Sequence, residues 1–287
     1  MRGAGYWRRG LSRLSALGRQ TKRRPLRGAP VATVLMPTHD HAPCLPHSIG
    51  SVLEQTVPDF ELLVVGDGVG DDTRAVVTAL ARRDSRIRFL DLPKGERKGE
   101  RHRHHALEQA RGSIVAYLGD DDLWFPEHLA TIAELLREAD FGHTLHVGIV
   151  ESGTWIFLPA DLEHAPLRQK MLQGPFNFFD FSFGAHTLAA YRRLSTGWAP
   201  PTPDCPWSDL YLWRQFLAEP WCRARSAMVP TAICTQTHRR PERSNEERAQ
   251  ELAALRRQIP TPAFRAHLWR QAATSFARAA VGAPTPG

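Results

Sequence analysis

The sequence contains 287 residues, of which 42% are hydrophobic and 23% charged, a balance typical of a globular protein with a sizeable core. No apolar run approaches the roughly 18–20 residues that span a bilayer, and the basic beginning lacks the apolar stretch of a secretory signal. The 4 cysteines are scattered without metal-ligand spacing, which favours free thiols in a reducing cytoplasm.

The net charge of +7 is concentrated at the start of the chain. Residues 1–30 carry nine basic side chains and no acidic one, which leaves 28 of the 37 basic residues against all 30 acidic residues. We therefore predict a basic tail over 1–29, either a flexible leader or a segment lying on an anionic membrane surface. The membrane interpretation depends on an apolar stripe at rough helical spacing: Trp7, Leu11, Leu14 and Leu17.

Strand and helix patterns alternate from Pro30 onward. Short apolar or β-branched runs bounded by polar turns predict strands at 31–40, 59–68, 87–92 and 114–118. Apolar residues at helical spacing predict helices at 45–56, 71–84 and 104–112. This alternation indicates an α/β fold with a mostly parallel sheet flanked by helices.

The second half of the sequence is less regular. Helical patterns return at 127–139 and 207–218, and the aromatic pieces between them, over 141–200, could be strands or cleft walls. A charged, alanine-rich segment then follows Arg239. The predicted organisation is a basic tail, two halves of one domain, and a helical C-terminal extension with its own tail: 1–29, 30–126, 127–240 and 241–287.

Polar residues follow three of the predicted strands at their carboxyl ends, where α/β sheets bind ligands. These residues are Thr38, His39 and Asp40, then Asp67, then Asp120, Asp121 and Asp122. Adjacent carboxylates repel one another unless a cation or hydrogen-bond donors neutralise them. A divalent cation bridging the aspartates and a diphosphate would do so, whereas a plain turn or helix start is the alternative.

Two further segments bear on the ligand. The basic run KGERKGERHRHH, at 94–105, precedes the aspartate strand and could meet the same diphosphate or lie on a solvated surface. The segment GDGVG, at 66–70, has glycines at its positions 1, 3 and 5 and so lacks the spacing of a dinucleotide fingerprint. Asp67 and the following acids would also repel a pyrophosphate there. A nicotinamide or flavin site is therefore excluded.

Over residues 31–126 the sequence resembles the family 2 inverting glycosyltransferases of the GT-A fold. The segment TVLMPTHDHAPCLPHSIGSVLEQTVPDFELLVVGDGVGDDT is similar to the opening of that family, and ARGSIVAYLGDDDLWFPEHL is similar to its DXD region. The resemblance implies a nucleotide-sugar half at 30–126 and a less regular acceptor-binding half at 127–240. It implies a metal-dependent enzyme, using Mn²⁺ or Mg²⁺, that transfers a sugar from a nucleotide-diphosphate sugar, most simply a UDP-sugar, to a hydroxyl acceptor.

The resemblance also implies roles for individual residues. Nucleotide-sugar contacts are carried over to Pro37, Thr38, His39, Asp67, Arg103, Asp120 and Asp121. Metal contacts are carried over to Asp122 and His238. Asp209, at the start of the helix predicted at 207–218, is implied as the general base that deprotonates the acceptor, although an aspartate there also suits a helix-start cap.

Three departures from the family pattern leave an alternative open. Gly66, Gly119 and Ser208 stand where members commonly carry acidic residues, so a catalytically degenerate domain that binds a glycan or a partner is the second hypothesis. A nucleotidyltransferase of the same fold is disfavoured, because the segment 38–46 is poor in the glycine and basic residues of a phosphate loop. We expect a cytoplasmic protein with a glycan or lipid-linked acceptor in cell-envelope or polysaccharide synthesis. We also expect peripheral contact with the inner face of the membrane through residues 1–30 and no nucleic-acid partner.

Overall fold

The structure, a computed structural model, describes residues 29–150, 155–156, 158–236 and 239–280. Its largest element is a nine-stranded mixed sheet with the spatial order β3-β2-β1-β4-β8-β6-β9-β5, in which β7 pairs with β6. In chain order the strands are β1 (Ala32–Thr38), β2 (Phe60–Asp67), β3 (Ile87–Leu92), β4 (Ile114–Tyr117), β5 (Leu123–Trp124), β6 (Phe141–Ile149), β7 (Trp155–Ile156), β8 (Gly184–Thr187) and β9 (Ala224–Cys234).

The first four strands are parallel and lie side by side, which confirms the predicted alternation. Strand β2 is buried along its whole length, and its run of leucine and valine suits burial on both faces. The helix predicted at 104–112 begins earlier, because Gly99 adopts a left-handed φ of 68° and turns the chain into a helix that ends at Glu108. The helices of this half are α1 (Leu45–Leu53), α2 (Asp71–Arg83) and α3 (Glu100–Glu108).

The second half continues the same sheet with mixed strand directions. Strand β8 pairs antiparallel with both β4 and β6, whereas β6 pairs parallel with β9. The sequence pattern left β6 as an undefined piece and did not predict β9. Its Pro230 lies opposite Leu145, where the register of β6 and β9 shifts, so the strand lacks a regular period. The helices here are α4 (His128–Leu135), α5 (Ala165–Gln173), α6 (Leu188–Tyr191) and α7 (Ser208–Ala218), with a 3₁₀ turn at Phe181–Phe183.

The C-terminal extension forms two helices, α8 (Asn245–Gln258) and α9 (Pro262–Ala280). Helix α8 begins with a capping box, in which Ser244 and Glu247 satisfy each other's backbone amides. Leu252 and Leu268 are fully or almost fully buried and belong to an apolar cluster that also contains β6, β5 and β9 side chains. Among the described residues, no helix combines the length and the apolar character needed to cross a bilayer.

Candidate active site

The parallel pairing of β1, β2 and β4 brings three loops to one edge of the sheet. Leu35 of β1 lies opposite Tyr117 of β4, and Thr38 lies opposite Gly66 of β2. The end of β1 and the loop that follows β4 therefore meet. Thr38 Oγ1 donates a hydrogen bond to Asp120 Oδ2 at 2.6 Å. At the next strand end, His39 Nδ1 lies 2.8 Å from the backbone oxygen of Asp67.

The three consecutive aspartates do not point to one place. His41 Nδ1 lies 2.9 Å from Asp120 Oδ1, and ligand atoms of His41, Asp120 and Asp121 all lie within 4.8 Å of one another. Burial, followed by repulsion from Asp122 and Asp120, raises the pKa of Asp121 to about 8. The hydrogen bond to Asp120 raises the pKa of His41 to about 9. The raised pKa of Asp121 reflects crowded carboxylates, and a cation bound at this corner would favour their ionised forms in place of the protons.

The Asp122 carboxylate faces the interior instead. Its Oδ2 accepts a hydrogen bond from Ser182 Oγ at 2.5 Å, and its Oδ1 accepts one from the backbone N–H of Thr235 at 2.9 Å. Burial raises the pKa of Asp122 to about 6, and these two donors oppose the rise. Both oxygens thus connect the aspartate turn to the second half of the fold.

Asp67 lies in a second polar corner, beside the basic loop that precedes α3. Lys94 Nζ lies 2.6 Å from Asp67 Oδ2, and the backbone N–H of Gly95 donates to Oδ1 at 2.6 Å. Although burial opposes it, these donors lower the pKa of Asp67. A Cβ on Gly99 would lie only 2.8 Å from Asp67 Cγ, so the close approach of this loop requires glycine.

Arg103 is the buried cation between the two halves. Its guanidinium lies 5.0 Å from the ring centroid of Trp198, and its Nη2 donates to the backbone oxygen of Lys98 at 2.9 Å. Within the described part of the chain its buried Nε has no hydrogen-bond partner. Burial lowers the pKa of Arg103, and the carboxylates of Glu100, Asp209 and Asp67 oppose that shift. The Arg103 charge therefore interacts with carboxylates of both halves, Asp67 and Asp209.

Asp209 is the second residue of α7, and the N-cap position belongs to Trp207. Its Oδ1 accepts the backbone N–H of Leu210 at 2.8 Å, and its Oδ2 accepts the amide of Asn177 at 3.0 Å. Burial raises the pKa of Asp209 to about 7, and the nearby Asp180 carboxylate adds to the rise. A carboxyl group with such a pKa exchanges protons readily near neutral pH.

The sequence model of the family described as "Glycosyl transferase family 2" matches residues 33–196, more than half of the chain. The chain belongs to glycosyl transferase family 2. The matched segment spans most of β1 and all of β2, β3 and β4, and it ends before α7, so it contains the aspartate turn but not Asp209. The prediction that this protein is a glycosyltransferase is confirmed at the level of the family.

Curated relatives support the same class. The chain is 30% identical over 123 residues to a GalNAc(5)-diNAcBac-PP-undecaprenol beta-1,3-glucosyltransferase of Campylobacter jejuni, covering 42% of this chain and 39% of the relative. It is 30% identical over 140 residues to the putative teichuronic acid biosynthesis glycosyltransferase TuaG of Bacillus subtilis, covering 48% and 54%. It is 36% identical over 101 residues to the Escherichia coli UDP-Glc:alpha-D-GlcNAc-diphosphoundecaprenol beta-1,3-glucosyltransferase WfgD, covering 34% and 38%. The chain thus aligns with about half or less of each relative's own length.

Solved structures confirm the predicted GT-A type fold. S. aureus TarS 1–349 in complex with UDP-GlcNAc superposes with a TM-score of 0.54 at 18% identity, covering 71% of this chain and 58% of that one. The mannosyltransferase PcManGT from Pyrobaculum calidifontis, in complex with GDP-Man and Mn²⁺, superposes with a TM-score of 0.52 at 22% identity, covering 99% and 86%. At these identities the likeness concerns the fold alone.

Most of the predicted glycosyltransferase site residues lie along the strand ends of this one sheet. Asp209 lies on α7, and its charge interacts with that of Arg103 on α3. Pro37 belongs to β1 and pairs with Val65 of β2. His238 lies outside the described residues. The sequence patterns missed several groups, because each is a single side chain in a loop or helix start without a period: His41, Glu100, Asp180 and Ser182. A search for histidine within three residues of Thr38 would have found the first of them. Lys94 belongs to the basic run predicted to meet the diphosphate, and its partner in the structure is Asp67.

Proposed function

We propose that this protein transfers a sugar from a nucleotide-diphosphate sugar to a hydroxyl acceptor, with inversion at the anomeric carbon. One observation supports the proposal most. The Arg103 charge interacts with the carboxylates of both Asp67 and Asp209, and the Asp180 charge raises the pKa of both Asp122 and Asp209. A donor bound at the strand ends would therefore have a carboxylate of suitable pKa beside it.

The donor corner supplies groups of the right kind for a nucleotide. In our proposal Asp67 accepts hydrogen bonds from the base, while Pro37, Thr38 and His39 line its pocket. Asp67 is already aligned by Lys94 and Gly95, which limits the entropy lost when a base binds. Arg103 would complete the charge balance of the same pocket.

The cation, Mn²⁺ or Mg²⁺, fits the aspartate corner. Asp120 and Asp121 offer the hard oxygen ligands that these ions prefer, and His41 adds a nitrogen within the same 4.8 Å group. We therefore favour Asp121, rather than Asp122, as the direct ligand, since both Asp122 oxygens accept hydrogen bonds from Ser182 and Thr235. Asp122 would hold the turn in place. When bound, the ion would neutralise the leaving diphosphate.

Asp209 is the proposed general base. An inverting transfer needs one carboxylate that accepts the acceptor's hydroxyl proton as the oxygen attacks. The helix-cap alternative is weakened, because α7 begins at Ser208 with Trp207 as its N-cap, and Asp209 is the second helical residue. Asn177, which donates to Asp209 Oδ2, would hold the carboxylate in one orientation.

The test is a donor screen on the purified chain. UDP-glucose, UDP-GlcNAc and GDP-mannose are titrated by calorimetry with Mn²⁺, with Mg²⁺ and with chelator, and nucleoside diphosphate release is measured alongside. We expect one donor to bind in a cation-dependent manner and to be turned over. Cation-dependent binding without turnover would instead favour the degenerate binding module suggested by Gly66, Gly119 and Ser208. If UDP-glucose, UDP-GlcNAc and GDP-mannose all fail to bind, that result would contradict the donor class that they represent.

The acceptor and the membrane contact are proposed from sequence and from the relatives. Two relatives carry undecaprenol-linked substrates in their names, and a third is named for teichuronic acid synthesis. We propose a glycan or lipid-linked acceptor, reached while the basic tail contacts the inner, anionic face of the membrane from the cytoplasm. Most of the tail, residues 1–28, lies outside the described residues.

The tail proposal has its own test. Full-length protein should sediment with anionic but not neutral vesicles at low salt, because each basic group near the surface contributes about 1 kcal/mol and salt screens it. A chain that starts at Pro30 should stay in the supernatant and still bind donor. Equal sedimentation of the two chains would contradict a role for the tail.

A further inference from the structure

Glu100 is a fully buried carboxylate at the start of α3. Its exposed fraction is 0%, its Oε1 accepts a hydrogen bond from Ser208 Oγ at 2.5 Å, and its Oε2 accepts the backbone N–H of Lys98 at 3.1 Å. Burial of a carboxylate costs free energy unless donors and counter-charges compensate it. The favourable interaction of an acid with a helix N-terminus is available at an exposed position as well, so it does not explain this burial.

The contacts of Glu100 connect α3 of the first half with α7 of the second half. Ser208 is the first residue of α7 and directly precedes Asp209. Arg103 lies one turn along α3 from Glu100. Burial lowers the pKa of Arg103, and among the carboxylates that oppose this shift Glu100 contributes most. One carboxylate thus interacts with the element that carries the proposed base and with the cation beside that base.

We propose that Glu100 is a positioning residue, which holds the start of α7 and the Arg103 guanidinium in the arrangement that leaves Asp209 available as the base. The inference rests on the proposed role of Asp209. Without the Glu100 charge, Asp209 would be left as a principal counter-ion for Arg103. A closer approach of Arg103 to Asp209 would stabilise the ionised carboxylate and make Asp209 a weaker proton acceptor. Loss of the bond to Ser208 would also release the first turn of α7.

The first experiment removes the charge and keeps the shape. Glu100→Gln should lower kcat for nucleoside diphosphate release from the screened donor by about 10- to 100-fold, the scale expected when a catalytic group is slightly misplaced. Donor KM should change by less than about threefold, since the contacts of the donor corner remain. Glu108→Gln on the same helix is the control, because Glu108 is exposed and pairs with His105. The kcat of this variant should be unchanged. Full activity of Glu100→Gln would overturn the proposal.

The second experiment moves the carboxylate to the other partner. Glu100→Ser and Ser208→Glu should each lower kcat, whereas the double variant places the same two groups on exchanged positions and should recover kcat to within about fivefold of the parent chain. A residue needed only to fill space or to start α3 would give defects that multiply in the double variant, and that result would overturn the proposal. The melting midpoint of each variant shows whether it folds. If an exchanged variant fails to fold, the kcat of Glu100→Gln decides whether the proposal stands.

Asp209→Asn separates this inference from the proposed function. If Asp209→Asn is inactive while Glu100→Gln is fully active, Asp209 stays the base and the positioning role of Glu100 is wrong. If Asp209→Asn keeps full activity, the base assignment fails first, and with it the inference. Inactivity of the parent chain toward every donor in the screen would count against the proposed function before either variant is made.

Discussion

The donor side of the cleft, residues 30–126, and the acceptor side, residues 127–236, share one sheet but are organised differently. On the donor side, helices connect successive parallel strands. The register of these strands brings the polar residues at their carboxyl ends together. On the acceptor side, strands of both directions pair across long stretches of sequence, and the proposed base comes from a helix rather than a strand end. The proposed donor site is therefore a product of local structure, whereas the proposed base depends on tertiary packing.

The largest expected effect separates the two sides by function. Asp209→Asn keeps the size of the side chain but cannot accept a proton, so kcat should fall by about 10²- to 10⁴-fold. Donor affinity measured by calorimetry should stay the same, because Asp209 belongs to the acceptor side. Unchanged turnover in this variant would move the base elsewhere and restore the helix-start interpretation.

A second pair of variants tests the donor side. Asp121→Asn should weaken Mn²⁺-dependent donor binding by about 10- to 100-fold, the range reported for disturbed metal sites, with the fold intact. Asp122→Asn is the matched control one residue away. It should act mainly on stability, because it disturbs the bonds from Ser182 and Thr235. The opposite outcome, with Asp122 as the residue on which metal binding depends, would restore the original sequence-based assignment.

The pH dependence sharpens the comparison further. Because Asp209 must be ionised to act as a base and its pKa is raised to about 7, kcat/KM should fall about tenfold per pH unit below that value. Saturating Mn²⁺ keeps the metal ligands ionised during the measurement. Asp180→Asn should move this acid limb to lower pH, since the Asp180 charge raises the pKa of Asp209, whereas Arg103 lowers it. If the acid limb of kcat/KM stays at the same pH in Asp180→Asn, the proposed effect of the Asp180 charge on Asp209 is contradicted.

The sequence predicted the donor side well because its signals are local. Periodic runs identified β1, β2, β3 and β4, and the register of parallel strands then placed Thr38 beside Asp120. The resemblance assigned the metal contact to Asp122, and the sequence could not show how the turn orients each aspartate side chain, on which our proposal of Asp121 depends. Glycine at 99, which starts α3 early, likewise acts through one backbone angle.

The acceptor side escaped prediction for a different reason. Strand β6 buries His143 and His146, whose rings stack on Phe179 and Phe183, so polar residues interrupt its apolar pattern. Strand β9 carries Pro230 at its bulge. Only two helices had a clear period, the one predicted at 127–139 and the one that carries Asp209. Its approach to the donor corner, and the bond from Ser208 to Glu100, are long-range contacts that no local pattern encodes.

The smallest expected effect concerns backbone strain on the donor side. Gly99→Ala should lower the free energy of unfolding by about 1–2 kcal/mol, because φ is 68° and the new Cβ would lie 2.8 Å from Asp67 Cγ. Gly174→Ala on the acceptor side is the control. There φ is −136° and the nearest atom lies 3.6 Å away, so stability should be equal or slightly greater. Equal losses in urea denaturation would contradict the special role of Gly99.

The central claim is that the Asp209 carboxylate takes the proton of the acceptor hydroxyl, whose oxygen attacks the anomeric carbon and displaces the nucleoside diphosphate held by the donor side. The anomeric configuration of the first product tests it most directly. Proton NMR at early times should show the β-anomer of the sugar released or transferred from the α-linked nucleotide sugar found in the donor screen. Release of the α-anomer before mutarotation would mean retention, and would contradict Asp209 as the base of a single inverting displacement.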